Sequence, residues 1–253
     1  MCVCVCVHNA YPPHPSAPLS THSPPHPTDY QPDPVYIGSP DMLPILAPEM
    51  DAIADELVAM VTGAGLKVGF TLRPQKLTQA PGWNASQPPW FRPQRWHQHD
   101  FLLPDNSTDV QGYASCLIAK VTYAKARWGA SMFYVDTTVN SAGVLPFEVW
   151  DLVAAAHPDV IFFPEESEVN YFAVTAPLQD NWESYAIPVN PAVKAIWPGA
   201  YSLQLMQFPI NYTKGSFEQW VEVVKGGDSL LIRPWYNGTD NWKVKSIYEA
   251  ARG

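Results

Sequence analysis

From Val35 onward, short apolar runs alternate with longer stretches of helical periodicity. The runs at 35–39, 67–72, 131–135, 160–163, 200–206 and 229–233 are apolar on both faces and read as buried strands. The first helix is expected from Leu46 to Val61. Pro48 suits its first turn, and Glu49, Asp51, Asp55 and Glu56 favour its positive N-terminal half. Met50, Ile53, Leu57 and Met60, spaced by three and four, predict its buried stripe, and Gly63 or Gly65 its stop. Further helices are expected at 110–128 (closed by Gly129), 147–156 (beside Pro146), 217–224 (before Gly226 and Gly227) and 242–251. A long loop is expected from Pro74 to about Thr108, and a less regular stretch before Pro198.

Doubly apolar strands separated by helices are the pattern of a parallel sheet covered by helices. An open doubly wound sheet that binds a nucleotide needs a glycine-rich turn after a strand. Gly63, Gly65 and Gly69 precede a strand and serve instead as a helix stop. The expected fold class is therefore α/β, a (β/α)8 TIM-type barrel. With six strands in view, it is incomplete at the N-terminus, and one further strand is sought near 170–190. Residues 35–253 are assigned to this barrel.

Residues 1–34 have a different character. The Cys-Val alternation of residues 2–7 is what a TG dinucleotide repeat encodes, and residues 8–34 hold nine Pro and no Lys, Arg or Glu. Proline removes backbone donors, and little here can be buried. This segment is expected to be disordered and to stem from a gene-model artefact. It has neither the basic start nor the apolar centre of a signal peptide. Cys2, Cys4 and Cys6 lack the two-to-four-residue spacing of zinc ligands, and His97-Gln-His99-Asp100 follows no strand, so no metal is expected, and no cofactor either. Four sequons, at Asn84, Asn106, Asn211 and Asn237, exceed the roughly one that ten Asn and 27 Ser plus Thr give by chance. They suit a glycosylated, extracellular complete protein.

Composition narrows the function. A net charge of −9 with no basic stripe excludes a nucleic-acid backbone binder. No apolar run approaches the roughly 18 residues that span a membrane. Only 15% of residues are charged, while ten are Trp, a balance that suits proteins handling sugars. The oligomeric state is left open.

Candidate chemistry collects where the strands end, the edge at which barrel active sites lie. Those ends carry Asp41, Arg73, Asp136, Glu165 with Glu166, Gln204 or Gln207, and Arg233 with Trp235. A carboxylate pair on such a rim suits glycoside hydrolysis: one acid protonates the leaving oxygen, and the other attacks the anomeric carbon or activates water. Asp136 is the candidate nucleophile. Glu165 is preferred to Glu166 as acid/base because it shares parity with Ile161 and Phe163. Arg73 either orients a carboxylate, holds a sugar hydroxyl or forms a structural ion pair. The loop Trp83, Trp90, Phe91 and Trp96 offer aromatic faces for sugar rings, with Trp90 a candidate contact. Asp228 precedes its strand, falls on the opposite, stabilising edge, and is excluded from the site.

The segment Gly65–Phe70 (GLKVGF), then a helix, then Phe133–Asp136 (FYVD) resembles α-galactosidase-type glycoside hydrolases. The chain is also similar to glycoside-hydrolase-like barrel proteins through Leu72–Gln75, Phe133–Asp136 and Pro164 with Glu165. The resemblance implies a (β/α)8 fold and a nucleophile role for Asp136. The clan has Lys two residues before its Asp, where Tyr134 stands here. It has an acid/base Asp two strands further on, where only Gln204 and Gln207 are present. The Glu165 assignment comes from the residues alone. The expected function is hydrolysis of a carbohydrate. The alternative is a barrel that binds carbohydrate without catalysis, or an inactive truncated one.

Overall fold

The computed structural model describes residues 38–46, 48–74, 76–77, 101–102, 109–136, 139–140, 143–165, 168–179, 186–206, 215–232 and 241–253. The expectations for residues 1–37, for the aromatic residues of the 74–108 loop and for the four sequons lie outside these residues; within that expected loop, Lys76–Leu77 and Phe101–Leu102 pair as a short antiparallel ladder.

Among the described residues, seven helices and two parallel three-stranded sheets form a mixed α/β structure. The strands of these two sheets are β1 (Gly69–Leu72), β2 (Met132–Val135), β3 (Ile161–Pro164), β4 (Leu178–Gln179), β5 (Leu203–Met206) and β6 (Ser229–Ile232). The first sheet runs β1-β2-β3 and the second β4-β5-β6, each in chain order. Ala176 donates its N–H to Phe162 O at 2.9 Å, so the chain entering β4 runs beside β3. At the other edge Arg73 N–H donates to Gly38 O at 3.1 Å. Side-by-side parallel strands in chain order are the arrangement the alternating pattern predicts. The described residues do not close into a barrel.

The helices are α1 (Leu43–Leu46), α2 (Pro48–Gly63), α3 (Val110–Trp128), α4 (Phe147–Ala156), α5 (Pro191–Ile196), α6 (Phe217–Lys225) and α7 (Asn241–Arg252). Helix α3 shows why the sequence folds locally as it does. The Asp109 side chain accepts from Gly112 N–H at 2.8 Å, satisfying an orphan donor of the first turn, a cap worth about 1 kcal/mol. Gly129, at φ 64°, ends the helix in the left-handed conformation. Leu117, Val121, Ala124 and Trp128 bury one face. Each buried Leu or Val contributes about 1.5–3 kcal/mol.

The strands alternate between two environments. Phe70, Leu72, Phe133, Val135 and Phe162 pack in the core shared with α3 and α4. Met132, Phe163, Leu178, Leu203 and Leu205, with Tyr134, Ile161 and Leu231, form a second cluster containing no helical residue. The sheet thus has a helix-covered face and a face on which strands pack on strands.

Three expectations change. In α2, Ile53 and Met60 are 49% and 60% exposed; the buried position is Val58, with Met50, Ala54 and Val61 packed beside it. The apolar arc of the helix is wider than the packed face, and the bonds of Asp51 and Asp55 to Arg127, and of Asp55 to Trp128, set the Met50, Ala54 and Val58 side toward Phe70 and Trp128. The less regular stretch holds a short helix, α5, and the strand β4. Residue 38 is in a turn, and its carbonyl pairs with Arg73.

Candidate functional site

The register of the first sheet sets up the site. Leu72 is paired with Val135 and Val135 with Pro164. Asp136 N–H donates to Leu72 O at 2.8 Å, and Glu165 N–H to Val135 O at 3.0 Å. Arg73, Asp136 and Glu165 therefore follow one another across three adjacent strand ends. Neighbouring strands lie about 4.8 Å apart. The three residues share parity with Thr71, Tyr134 and Phe163, of which Tyr134 and Phe163 belong to the strand-only cluster.

Arg73 and Asp136 are 5% and 7% exposed. Arg73 Nε and Nη2 both donate to Asp136 Oδ2, at 2.9 and 2.6 Å. Among the described residues no hydrogen bond reaches Oδ1. A charge this deeply buried requires a partner, and the guanidinium supplies it. Glu165 is half-buried.

Arg73 is itself held from behind. Lys120, on α3 and 2% exposed, donates Nζ to Arg73 O at 2.8 Å. Burial pulls the Lys120 ammonium below the ordinary lysine range, while Cys116 and Asp41 counter that effect and Arg73 adds to it. Gly38 has φ 69°, and a Cβ on it would fall 2.2 Å from Arg73 N. Only glycine fits that contact.

The other predicted residues are placed as follows. Asp41 is exposed in a short 3-10 helix, Pro40–Met42, next to Gly38. Gln204 is 1% exposed and pairs in register with Leu230, on the helix-covered side. Its Nε2 donates to Ile187 O and Ser202 Oγ, each at 2.6 Å, so its amide ties a loop to β5 away from the carboxylate row. Glu166, Gln207, Arg233, Trp235 and Trp90 lie outside the described residues. Asp228 sits at the opposite end of the strands. It accepts from Ser202 N–H at 2.8 Å, Ser202 Oγ at 3.2 Å and Val189 N–H at 3.0 Å. At that edge a cavity of about 420 Å³ is lined by Ile161, Phe172, Trp197 and Tyr201, well away from the row. Among the described residues no group of three His, Cys, Asp or Glu side chains gathers to hold a metal ion.

Sequence reasoning missed Lys120 and Gly38. The signal for Lys120 was present: it falls on the apolar stripe of Leu117, Val121 and Ala124, where a solvated lysine does not belong.

No family model matches the chain, and no curated protein matches it. Membership of the α-galactosidase-type clan is accordingly not supported. Among solved structures, the chain is similar to a family 18 chitinase from Crocus vernus, at 8% identity and a TM-score of 0.43. The alignment covers 79% of this chain and 77% of that one. A likeness this slight assigns neither a fold nor a function.

Proposed function

We propose that the chain is a glycoside-hydrolase-like protein of (β/α)8 type, with Asp136 as nucleophile or charge stabiliser and Glu165 as acid/base. One observation carries this: two carboxylates follow each other on adjacent parallel strand ends, one of them locked by a buried arginine. Hydrolysis of a glycoside needs two carboxyl groups about 5–9.5 Å apart around the anomeric centre. Neighbouring strand ends with shared parity suit that separation. The strand-only cluster beneath the row supports the barrel, because an inward-curving sheet packs its own strands on its concave side.

In this mechanism Arg73 holds Asp136 Oδ2, which leaves Oδ1 for the anomeric carbon or for the charge of an oxocarbenium-like centre. Glu165, less buried, gives its proton to the leaving oxygen. No cofactor enters the scheme.

One observation favours the second reading, a barrel that binds carbohydrate without hydrolysis. Arg73 and Asp136 close on each other so fully that the pair can serve as a strut across β1 and β2. Hydrolysis of a panel of aryl glycosides by the wild type, Asp136→Asn and Glu165→Gln separates the two. Catalysis predicts abolished turnover in Asp136→Asn with the fold retained. It predicts that Glu165→Gln slows poor leaving groups most, because those need the proton. Wild-type hydrolysis surviving both substitutions would refute the assignment. Retained sugar binding without hydrolysis in the wild type would favour the second reading.

A further inference from the structure

We propose that Lys120 is a positioning residue of the rim: its buried ammonium, working against Gly38, fixes the main chain of Arg73 so that the guanidinium meets Asp136. Three observations carry this. Lys120 occupies a helix face otherwise made of Leu117, Val121 and Ala124, where an apolar side chain would pack without the cost of desolvating a charge. Its Nζ goes to Arg73 O, the carbonyl one residue past the end of β1. The opposite side of the same residue is gripped by Gly38, whose carbonyl accepts the Arg73 N–H and whose missing Cβ is what permits the approach.

Arg73 is thus held at three points: N–H, C=O and guanidinium. A strand end normally gains freedom once its ladder stops, and a long side chain extended from it amplifies any backbone rotation. Pinning both backbone groups removes that freedom before the side chain begins. Among the described residues, the groups that bear on the ammonium include Asp41, Arg73 and the Cys116 thiol one helical turn away on α3. The kinetic arm of the test rests on the catalytic reading of Asp136; the structural arm does not.

The test uses the full chain with 15N-labelled arginine, the Arg73 signal being assigned by its loss in Arg73→Lys. In Lys120→Met, solvent exchange of the Arg73 Nε–H should rise about tenfold or more, while that of Arg127, paired on the surface with Asp55, stays within about twofold. If the wild type hydrolyses an aryl glycoside, kcat should fall about 10- to 100-fold with KM within about twofold, the signature of a misplaced group that substrate does not touch. A lower melting temperature with unchanged Arg73 exchange would overturn the proposal and make Lys120 a packing residue. If the wild type hydrolyses nothing, the catalytic reading fails and the exchange arm alone decides on Lys120. Should Lys120→Met not fold, Lys120→Gln, which keeps a donor and loses the charge, takes its place. It should show a smaller rise in exchange of the same kind, and no rise at all would overturn the proposal.

Discussion

Two buried aspartates mark the two edges of the parallel strands, and their surroundings differ in kind. Asp228, before β6, is 2% exposed and accepts from two backbone N–H groups and one hydroxyl. All three donors are neutral and belong to segments that must be tied down. Asp136, after β2, is 7% exposed and is held by one charged side chain through one of its oxygens. Next to it in the row stands a second carboxylate, Glu165. The first arrangement uses a carboxylate to satisfy the backbone. The second places a charge at an edge, leaves one oxygen without a bond from the described residues, and supports the charge from beneath. The contrast separates an aspartate that stabilises from one suited to chemistry.

Swapping the pair for apolar groups would break this comparison most sharply. Asp136→Leu alone leaves the Arg73 guanidinium buried without its carboxylate and should cost about 3–5 kcal/mol. The double variant Arg73→Met/Asp136→Leu should recover most of that loss, because matched apolar groups replace a desolvated ion pair at little net cost. Urea denaturation of both variants measures it, and a double variant as unstable as the single one would show that the pair is a structural strut.

Asp228 has no such compensation, since two of its three donors are main-chain groups that no substitution removes. Asp228→Ala orphans the Val189 and Ser202 N–H groups and should cost about 3 kcal/mol by the same measurement. A loss under about 1 kcal/mol would contradict its role.

The smallest effect is in the pH dependence. The folded-state value of Lys120 lies below the ordinary 10.5 because burial opposes its charge. Between that lowered value and 10.5 the unfolded chain holds a proton that the folded chain has released, so stability rises with pH across the window. The denaturation midpoint of the wild type relative to Lys120→Met should therefore rise as pH climbs toward 10.5. Parallel curves for the two proteins would contradict it.

Strand ends and capped helices were legible because the signals are local. Asp109 and Gly129 bound α3, and the apolar runs before Arg73, Asp136 and Glu165 bring those residues to one edge. The face of α2 was not legible. Met50, Ile53, Leu57, Val58, Met60 and Val61 spread over an arc wider than one stripe, so more than one stripe fits, and tertiary contact with Phe70 and Trp128 decides. Helix α5 and β4 are too short, at six and two residues, to develop a period. Gln204 was misjudged as a rim residue because its distance along the strand was weighed without its parity. Sharing a face with Ser202, and paired in register with Leu230, it points away from Leu203 and Leu205.

The most direct measurement is turnover per folded molecule of Asp136→Asn beside Asp228→Asn on one aryl glycoside that the wild type hydrolyses. Both substitutions keep the side-chain shape and remove a buried charge. The account predicts no detectable turnover for Asp136→Asn, and wild-type turnover per folded molecule for Asp228→Asn despite its lower stability. Turnover persisting in Asp136→Asn, or lost equally in both, would contradict it.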